Sequence, residues 1–411
     1  MNYELFIAKR IIAAKQYKSS ISSPIIKIAI IAIAIGMVIM LIAISTGVGL
    51  QQKIREKLSG FNGHIQITNF DNNNSEITLN PVSIKQDFYP KFNNVIGIKN
   101  VQVFATKAGI IRTETDFEGI IFKGVSSDYD WTFFKEYLIE GELPNYTNEV
   151  SFDVLISSEI SNRLNIKLGD AFNILFVKND PSKAPWIRVV KAVGIYNSGF
   201  QDFDENFVIA DIKHIQKMNN WNEDEVGGFE VFITDFDSIN EKSPEVYEQT
   251  ASTLNSQSII EKYPAIFEWI GLFDTNIYII IAIMILVAGI NMITALLVLI
   301  LERTQMVGIL KALGSNNISI RKVFLYNAGY LILRGLFWGN LIGLTVLLLQ
   351  KYLGLVTLNP ETYYVKSVPI YIDFGYILLL NIGTLLLCLL MLIIPSIVIS
   401  KISPAKSIKF E

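Results

Sequence analysis

The chain is poor in the residues on which most enzymes and small secreted domains depend: its 411 residues include one cysteine and two histidines. The lone Cys388 excludes an intrachain disulfide, and its place inside an apolar run makes it a small packing residue. His64 and His214 stand alone, with no ligand spacing and no serine or cysteine arrangement around them, so packed or surface roles are expected of both rather than catalysis or metal binding. No phosphate-cradling GxxxxGK[ST] loop occurs anywhere, which argues against ATP hydrolysis by this polypeptide and against a cofactor bound by it. The first apolar run, residues 28–50, has no Ala-x-Ala site after it and exceeds the about 7–15 apolar residues of a signal-peptide core, so a retained anchor is expected.

What the chain does have is apolar residues in bunches. At 51% hydrophobic and a mean hydropathy of +0.39 it is too apolar for an ordinary soluble protein. Four runs, residues 28–50, 277–301, 330–349 and 376–400, are each long enough to cross a hydrocarbon core, which takes about 20 helical residues. The stretch between the first two reads as soluble. Lys and Arg cluster before the first run (Lys9, Arg10, Lys15, Lys18, Lys27), in the 302–322 loop (Arg303, Lys311, Arg321, Lys322) and in the tail (Lys401, Lys406, Lys409). Positively charged flanks stay inside, so both termini are expected in the cytoplasm and residues 51–276 outside. Residues 49–276 carry 33 acidic and 20 basic side chains, net −13, and the remainder 5 and 15, net +10. An acidic outer domain fits a neutral or basic protein partner, or simply a soluble surface, better than nucleic acid.

The expected fold is a four-span helical membrane protein with a large α+β domain inserted between spans 1 and 2. Its expected parts are a cytoplasmic interfacial helix (1–22), span 1 (23–50), the outer domain (51–276), span 2 (277–301), a cytoplasmic segment (302–322), span 3 (323–349), an outer loop (350–375), span 4 (376–400) and a tail (401–411). Strands are predicted at 64–68, 101–105, 119–123, 171–177, 189–195, 207–209 and 229–233, from β-branched and aromatic content. Helices are predicted at 156–164, 211–218 and 246–263, and Trp269 is read as an interfacial anchor.

Within 302–324, ERTQMVGILKALGSNNISIRKVF, Met306, Leu310 and Leu313 recur at helical spacing and Gly314 follows as a C-cap: a short amphipathic helix able to dock in a groove. Among the apolar runs, Met37, Met40 and Met284 are adaptable side chains suited to a lipid cleft, and Gly36, Gly47 and Gly289 permit close helix approach. Asn291 and Arg334 are costly in hydrocarbon; each is expected to find a partner in the bundle, or Arg334 to reach the cytoplasmic face.

The order of parts, the segment ERTQMVGILKALG after span 2 and the ending SPAKSIKFE resemble the FtsX/MacB-type ABC permeases over essentially the whole length. FIAKRIIAAKQ near the start, VGIYNSG followed by Asp202, Asp204 and Glu205, and LNPETYYVKSVPIYID at 358–373 are similar to segments of the lipoprotein-releasing permeases LolC and LolE. The resemblance implies a dimer with a second permease copy or paralogue and a separate cytoplasmic ATPase of the LolD kind, which would carry the ATP and Mg. It also implies a lipoprotein substrate among membrane lipids and a periplasmic carrier of the LolA kind. Glu302, Arg303, Gly308, Leu310, Lys311, Ala312, Leu313 and Gly314 match the family's ATPase-coupling segment, while Met306 stands where an acidic residue is common. Residues 179–186, with Pro181, Pro185 and Trp186, lie where LolC-like members carry a carrier-binding hook; a stiff hairpin connection is the other reading. Alternatives are a MacB-type efflux permease of a tripartite pump and an FtsX-like activator of a cell-wall hydrolase.

Overall fold

Runs that are apolar all round satisfy their backbone polar groups in lipid as helices, and among its described residues the computed structural model forms four helices long and apolar enough to span. It describes residues 3–13, 22–72, 75–114, 116–147, 149–178 and 184–402. In chain order the elements are α1 (Tyr3–Ala13), α2 (Ser22–Asn62), β1 (Ile65–Asn69), β2 (Val82–Ser83), β3 (Ile98–Arg112), β4 (Phe117–Val125), α3 (Thr132–Tyr137), β5 (Leu138–Gly141), β6 (Asp153–Ser157), α4 (Ser158–Leu164), β7 (Ala171–Phe176), β8 (Trp186–Tyr196), α5 (Gln201–Asn206), β9 (Phe207–Asp211), α6 (Lys213–Asn219), β10 (Glu225–Val226), β11 (Gly228–Ile233), α7 (Ile239–Glu248), β12 (Leu254–Ser258), α8 (Ile259–Lys262), α9 (Pro264–Glu302), α10 (Thr304–Ala312), α11 (Asn317–Leu353), α12 (Pro360–Tyr363), α13 (Phe374–Ser396) and α14 (Val398–Lys401).

Two units result. The helical unit holds the chain up to Gln51, Ile270–Thr357 and the chain from Ser367; the head unit holds Gln52–Trp269 and Leu358–Lys366.

In the helical unit α11 packs closely on α2. Gly335, Gly339 and Gly343 recur every fourth residue on α11, and a Cβ on them would lie 2.7 Å from Ile33 Cβ, 2.6 Å from Met37 Cβ and 2.9 Å from Leu41 Cδ1. Without a cohesive difference between lipid tails and side chains, close backbone approach supplies the van der Waals contact that holds spans together. Ile33, Met37 and Leu41 are accordingly buried. Asn340 and Asn381 exchange side-chain hydrogen bonds between α11 and α13 (2.7 and 3.1 Å), and each also donates to its own helix. The short α1 lays Ala8 and Ile11 against Val323 of α11 and ties Tyr3 to Ser315 and Glu4 to Ser319.

The head unit is built on a ten-stranded mixed sheet, ordered β12-β1-β11-β3-β4-β9-β6-β8-β5, with β7 bridging β3 and β8. Most pairs are antiparallel; β4 with β9 and β6 with β8 are parallel. One predicted element is corrected. Residues 246–263 are not a single helix: α7 ends at Glu248, and β12 pairs along β1, with Leu254, Ser256 and Ser258 turned inward. An open edge of β1 recruits this polar segment despite its weak strand propensity. Ser258 and Glu261 then form a capping box that starts α8. Trp269 is also reassigned: it packs within the head unit, its ring 6.2 Å from that of Tyr363 and 6.1 Å from that of Tyr364.

Candidate functional site

The amphipathic segment after α9 folds as predicted, and its faces are used differently. Helix α10 is joined to α11 by only four residues, with Gly314 at φ +91° in the left-handed conformation and its N–H on Lys311 O. So tight a turn lays α10 against its own bundle. Val307 and Gly308 are buried, and Met306 and Leu310 pack on the core formed by α2, α9, α11 and α13. The expected stripe is therefore corrected: Met306 and Leu310 face inward, and the outward apolar groups are Ile309 (46% exposed) and Leu313 (78%). Glu302, Ala312 and Gly314 are exposed beside them. Lys311 is occupied within the chain, its ammonium donating to the carbonyls of Ile399 (2.7 Å), Ile402 (2.8 Å) and Ser400 (3.4 Å). Those groups close the C-terminal end of α14, where a cation also meets the negative end of the helix dipole.

A second cation closes the far end of α2. The helix finishes at Asn62, where Gly63 turns at φ +72°. The ammonium of Lys123, on β4, donates to Phe61 O and, at 2.7 Å, to Glu230 Oε1 on β11; Gln102 on β3 holds the other Glu230 oxygen at 2.9 Å. All three side chains are buried. Burial pulls the lysine below its ordinary pKa and the neighbouring carboxylate opposes that shift. The Phe61 ring stacks on Phe203 at 4.1 Å and meets Phe133, Phe134 and Phe207 at an angle. Sequence reading missed this anchor; the signal was a lone lysine within an otherwise apolar strand, IIFKGV.

The described residues thus combine four helices long enough to span, an α+β head between the first two and a short helix after the second. The family model "MacB-like periplasmic core domain" matches residues 28–246, more than half of the chain, and "FtsX-like permease C-terminal" matches 278–404. The chain belongs to the MacB/FtsX-type permease family. It is similar, at 20% identity and over 99% of both chains, to the lipoprotein-releasing system transmembrane proteins LolE of Haemophilus influenzae and LolC of Neisseria meningitidis. A crystal structure of the periplasmic region of MacB from Actinobacillus actinomycetemcomitans covers 52% of this chain and 98% of its own at 16% identity, with a TM-score of 0.33.

In this permease the methionines assigned to a lipid cleft need correction. Met37 and Met40 are 0% and 1% exposed, and Met284 is half-buried on the same core. Met37 fills the space that Gly339 leaves, so packing within one chain takes it from any lipid. The stripe that α2 turns outward is Ile28, Ile31, Ile35 and Ile39, legible in the sequence as a three-four spacing. Asn291 finds its partner in its own helix, Val287 O at 3.0 Å. Arg334 is exposed, with its guanidinium 4.9 Å from the Tyr330 ring.

In the head, Pro181 lies outside the described residues. Pro185 is exposed, and Trp186 opens β8 opposite Phe176 of β7, 37% exposed, with Lys178 Nζ 4.3 Å from its ring centroid. Ser198 is buried: its hydroxyl donates to Asp204 Oδ1 at 2.6 Å, and the Gly199 N–H donates to Oδ2 at 2.9 Å. His64 accepts the Ile233 N–H on Nδ1 at 3.1 Å, and burial lowers its pKa to about 4. His214 sits 2.8 Å from Ser151 O and is lowered by burial too.

Proposed function

We propose that the chain is the permease subunit of an ATP-driven lipoprotein-releasing complex in the inner membrane of a bacterium with two membranes. The observation that carries this reading is collinear similarity to LolE and LolC over 99% of the chain, spans and head together. In this reading a dimer of permease chains sits on two copies of a separate cytoplasmic ATPase, with both termini inside and the head in the periplasm. The head acts on a lipoprotein in the outer leaflet and passes it to a periplasmic carrier.

Energetics support an external motor. Each acyl CH₂ contributes about 0.8 kcal/mol of membrane affinity, so withdrawing two or three chains costs far more than thermal motion provides. The chain has no nucleotide-binding loop with which to meet that cost. The surface offered to the motor is small and apolar: Ile309 and Leu313, bordered by Glu302, Ala312 and Gly314. Arg303 and Gly308 shape the segment from behind, and Lys311 and Leu310 fix it to the bundle. At the other end the β7–β8 hairpin with Pro185 and Trp186 is the contact proposed for the carrier, and the outward isoleucines of α2 are proposed to meet lipid chains.

The test is affinity purification of the full-length chain from membranes, with depletion in parallel. An ATPase subunit should copurify, and depletion should leave outer-membrane lipoproteins in the inner membrane. Purification without an ATPase, or normal lipoprotein sorting after depletion, overturns the proposal. Crosslinking from Trp186 should recover a periplasmic carrier; recovery of a pump adaptor or a cell-wall hydrolase would replace this reading with another.

A further inference from the structure

The segment Leu358–Lys366, between α11 and α13, belongs to the head unit although both flanking helices belong to the other. It closes on itself through Leu358 N–H to Lys366 O (3.0 Å) and the short α12. At its tip Tyr364 has φ +59°, a left-handed conformation that bulky side chains rarely adopt and that persists only where surroundings impose it.

Two contacts impose it. The Tyr364 ring stacks on Phe200 (4.6 Å, 16°), which stacks on Phe203 (4.5 Å), which stacks on Phe61 near the end of α2 (4.1 Å). The Tyr364 carbonyl accepts a 2.9 Å hydrogen bond from the ammonium of Lys57, one turn earlier on α2 and itself 5% exposed. Phe200 is held in turn by the turn that Ser198, Gly199 and Asp204 form: Phe200 N–H donates to Ser198 Oγ at 3.1 Å. At Gly199, φ +66°, a Cβ would lie 3.1 Å from Lys57 Nζ, so the turn and the ammonium are fitted to each other. Trp269, the last head residue before α9 continues into the helical unit, faces Tyr364 edge-on at 6.1 Å.

We infer that Lys57, Phe200 and Tyr364 form a junction that obliges α2 and the 358–366 hairpin to move as one, and that these are positioning residues for the permease's release step. This rests on the function proposed above. Every stretch by which the chain enters or leaves the head touches or adjoins the junction: α2 through Lys57 and Phe61, α9 through Trp269, and the hairpin through Tyr364. A load arriving on one of them is shared with the others through ring stacking and one charge-assisted hydrogen bond. A loop of nine residues has too little buried surface to hold such a geometry alone.

The experiment uses the full-length chain in lipid nanodiscs, alone and with its copurified ATPase. Hydrogen exchange is followed at 358–366, and lipoprotein released per ATP hydrolysed is measured. Lys57→Met keeps the side-chain length and removes the donor; Tyr364→Gly relieves the left-handed backbone and removes the ring; Lys57→Arg restores a cation. In the first two, exchange at 358–366 should rise at least threefold and release per ATP should fall at least threefold, with Lys57→Arg recovering part of both. A rise below threefold in both variants overturns the junction. A threefold rise with release per ATP less than threefold lower overturns its role in release. Should the native chain release no lipoprotein with any ATPase, the proposed function fails, and exchange alone then decides the junction by the same threshold.

Discussion

The helical unit and the head unit hold themselves together by opposite means. Among the described residues, the buried side chains of charged type, Lys57, Lys123, Asp204, Asp211, His214 and Glu230, all lie in the head, whereas the helical unit buries only neutral polar groups such as Asn327, Gln350 and Thr384. The head can bury charge because a ten-stranded sheet brings partners from two neighbouring strands, β3 and β4, onto one carboxylate of β11. Parallel spans offer fewer such partners, and there the chain relies on the absence of side chains, at Gly335, Gly339 and Gly343, to gain contact. Electrostatic fit and steric fit thus divide the molecule.

The comparison can be broken at its strongest point first. Lys123→Ala leaves Glu230 buried without its cation and frees the Phe61 carbonyl, which should destabilise the head by about 3–5 kcal/mol. Replacing both partners, Lys123→Met with Glu230→Leu, should cost much less. Thermal unfolding of the full-length protein in detergent, with hydrogen exchange at β4 and β11, separates the two outcomes. Equal losses would mean that the pair is not the unit of stability.

Next comes His64. Its folded-state pKa lies below the unfolded value, so the unfolded chain binds the proton more readily. The stability contributed by the neutral ring is complete above about pH 6.5 and is lost as pH falls toward about 4. A shift of that size corresponds to roughly 3 kcal/mol. His64→Asn offers an oxygen in place of Nδ1 and should flatten the decline between those pH values in a melting series, while a profile unchanged from native would show that burial of His64 does not set it.

In the helical unit, Gly339→Leu should cost about 1–3 kcal/mol by forcing α11 from Met37, and Gly339→Ala less. A grading with side-chain size, read from unfolding midpoints in one detergent, sharpens the claim of steric fit; no difference between Ala and Leu would break it. The smallest effect is expected for Asn340→Leu with Asn381→Leu, about 0.6 kcal/mol as for other interhelical polar pairs. A loss as large as that of Lys123→Ala would show that polar fit governs both units.

Much of this was legible in the residues. The spans follow from uninterrupted apolar length, and the head's α+β character from alternation at His64–Thr68, where one face is buried and the other half-buried, and from β-branched and aromatic content at Phe229–Ile233, a strand buried on both faces. Leu254–Ser258 was illegible because its strand state comes from the vacant edge of β1, a partner nearly two hundred residues away. The coupling helix could be found from its spacing, but which of its faces looked outward depended on the four-residue turn and on the body of the bundle behind it. Met37 and Met40 were misread for a related reason: the sequence shows adaptable side chains, and only the fold shows that their places are filled, Met37 against Gly339 of α11 and Met40 within the same buried core. Lys57 looks like an ordinary surface lysine, and Lys123 only like a misfit in an apolar strand, until the hairpin carbonyl or the helix end that each one serves is in view.

The ammonium of Lys311 has one further consequence. Three carbonyl oxygens, from Ile399, Ser400 and Ile402, converge on a single nitrogen, a geometry that suits a tetrahedral donor. A flat guanidinium projects its N–H groups in one plane, outward and apart. Arginine, the replacement usually thought gentlest for lysine, is therefore the wrong shape for this knot, and a neutral but slender methionine is expected to disturb the strands of chain around it no more than arginine does.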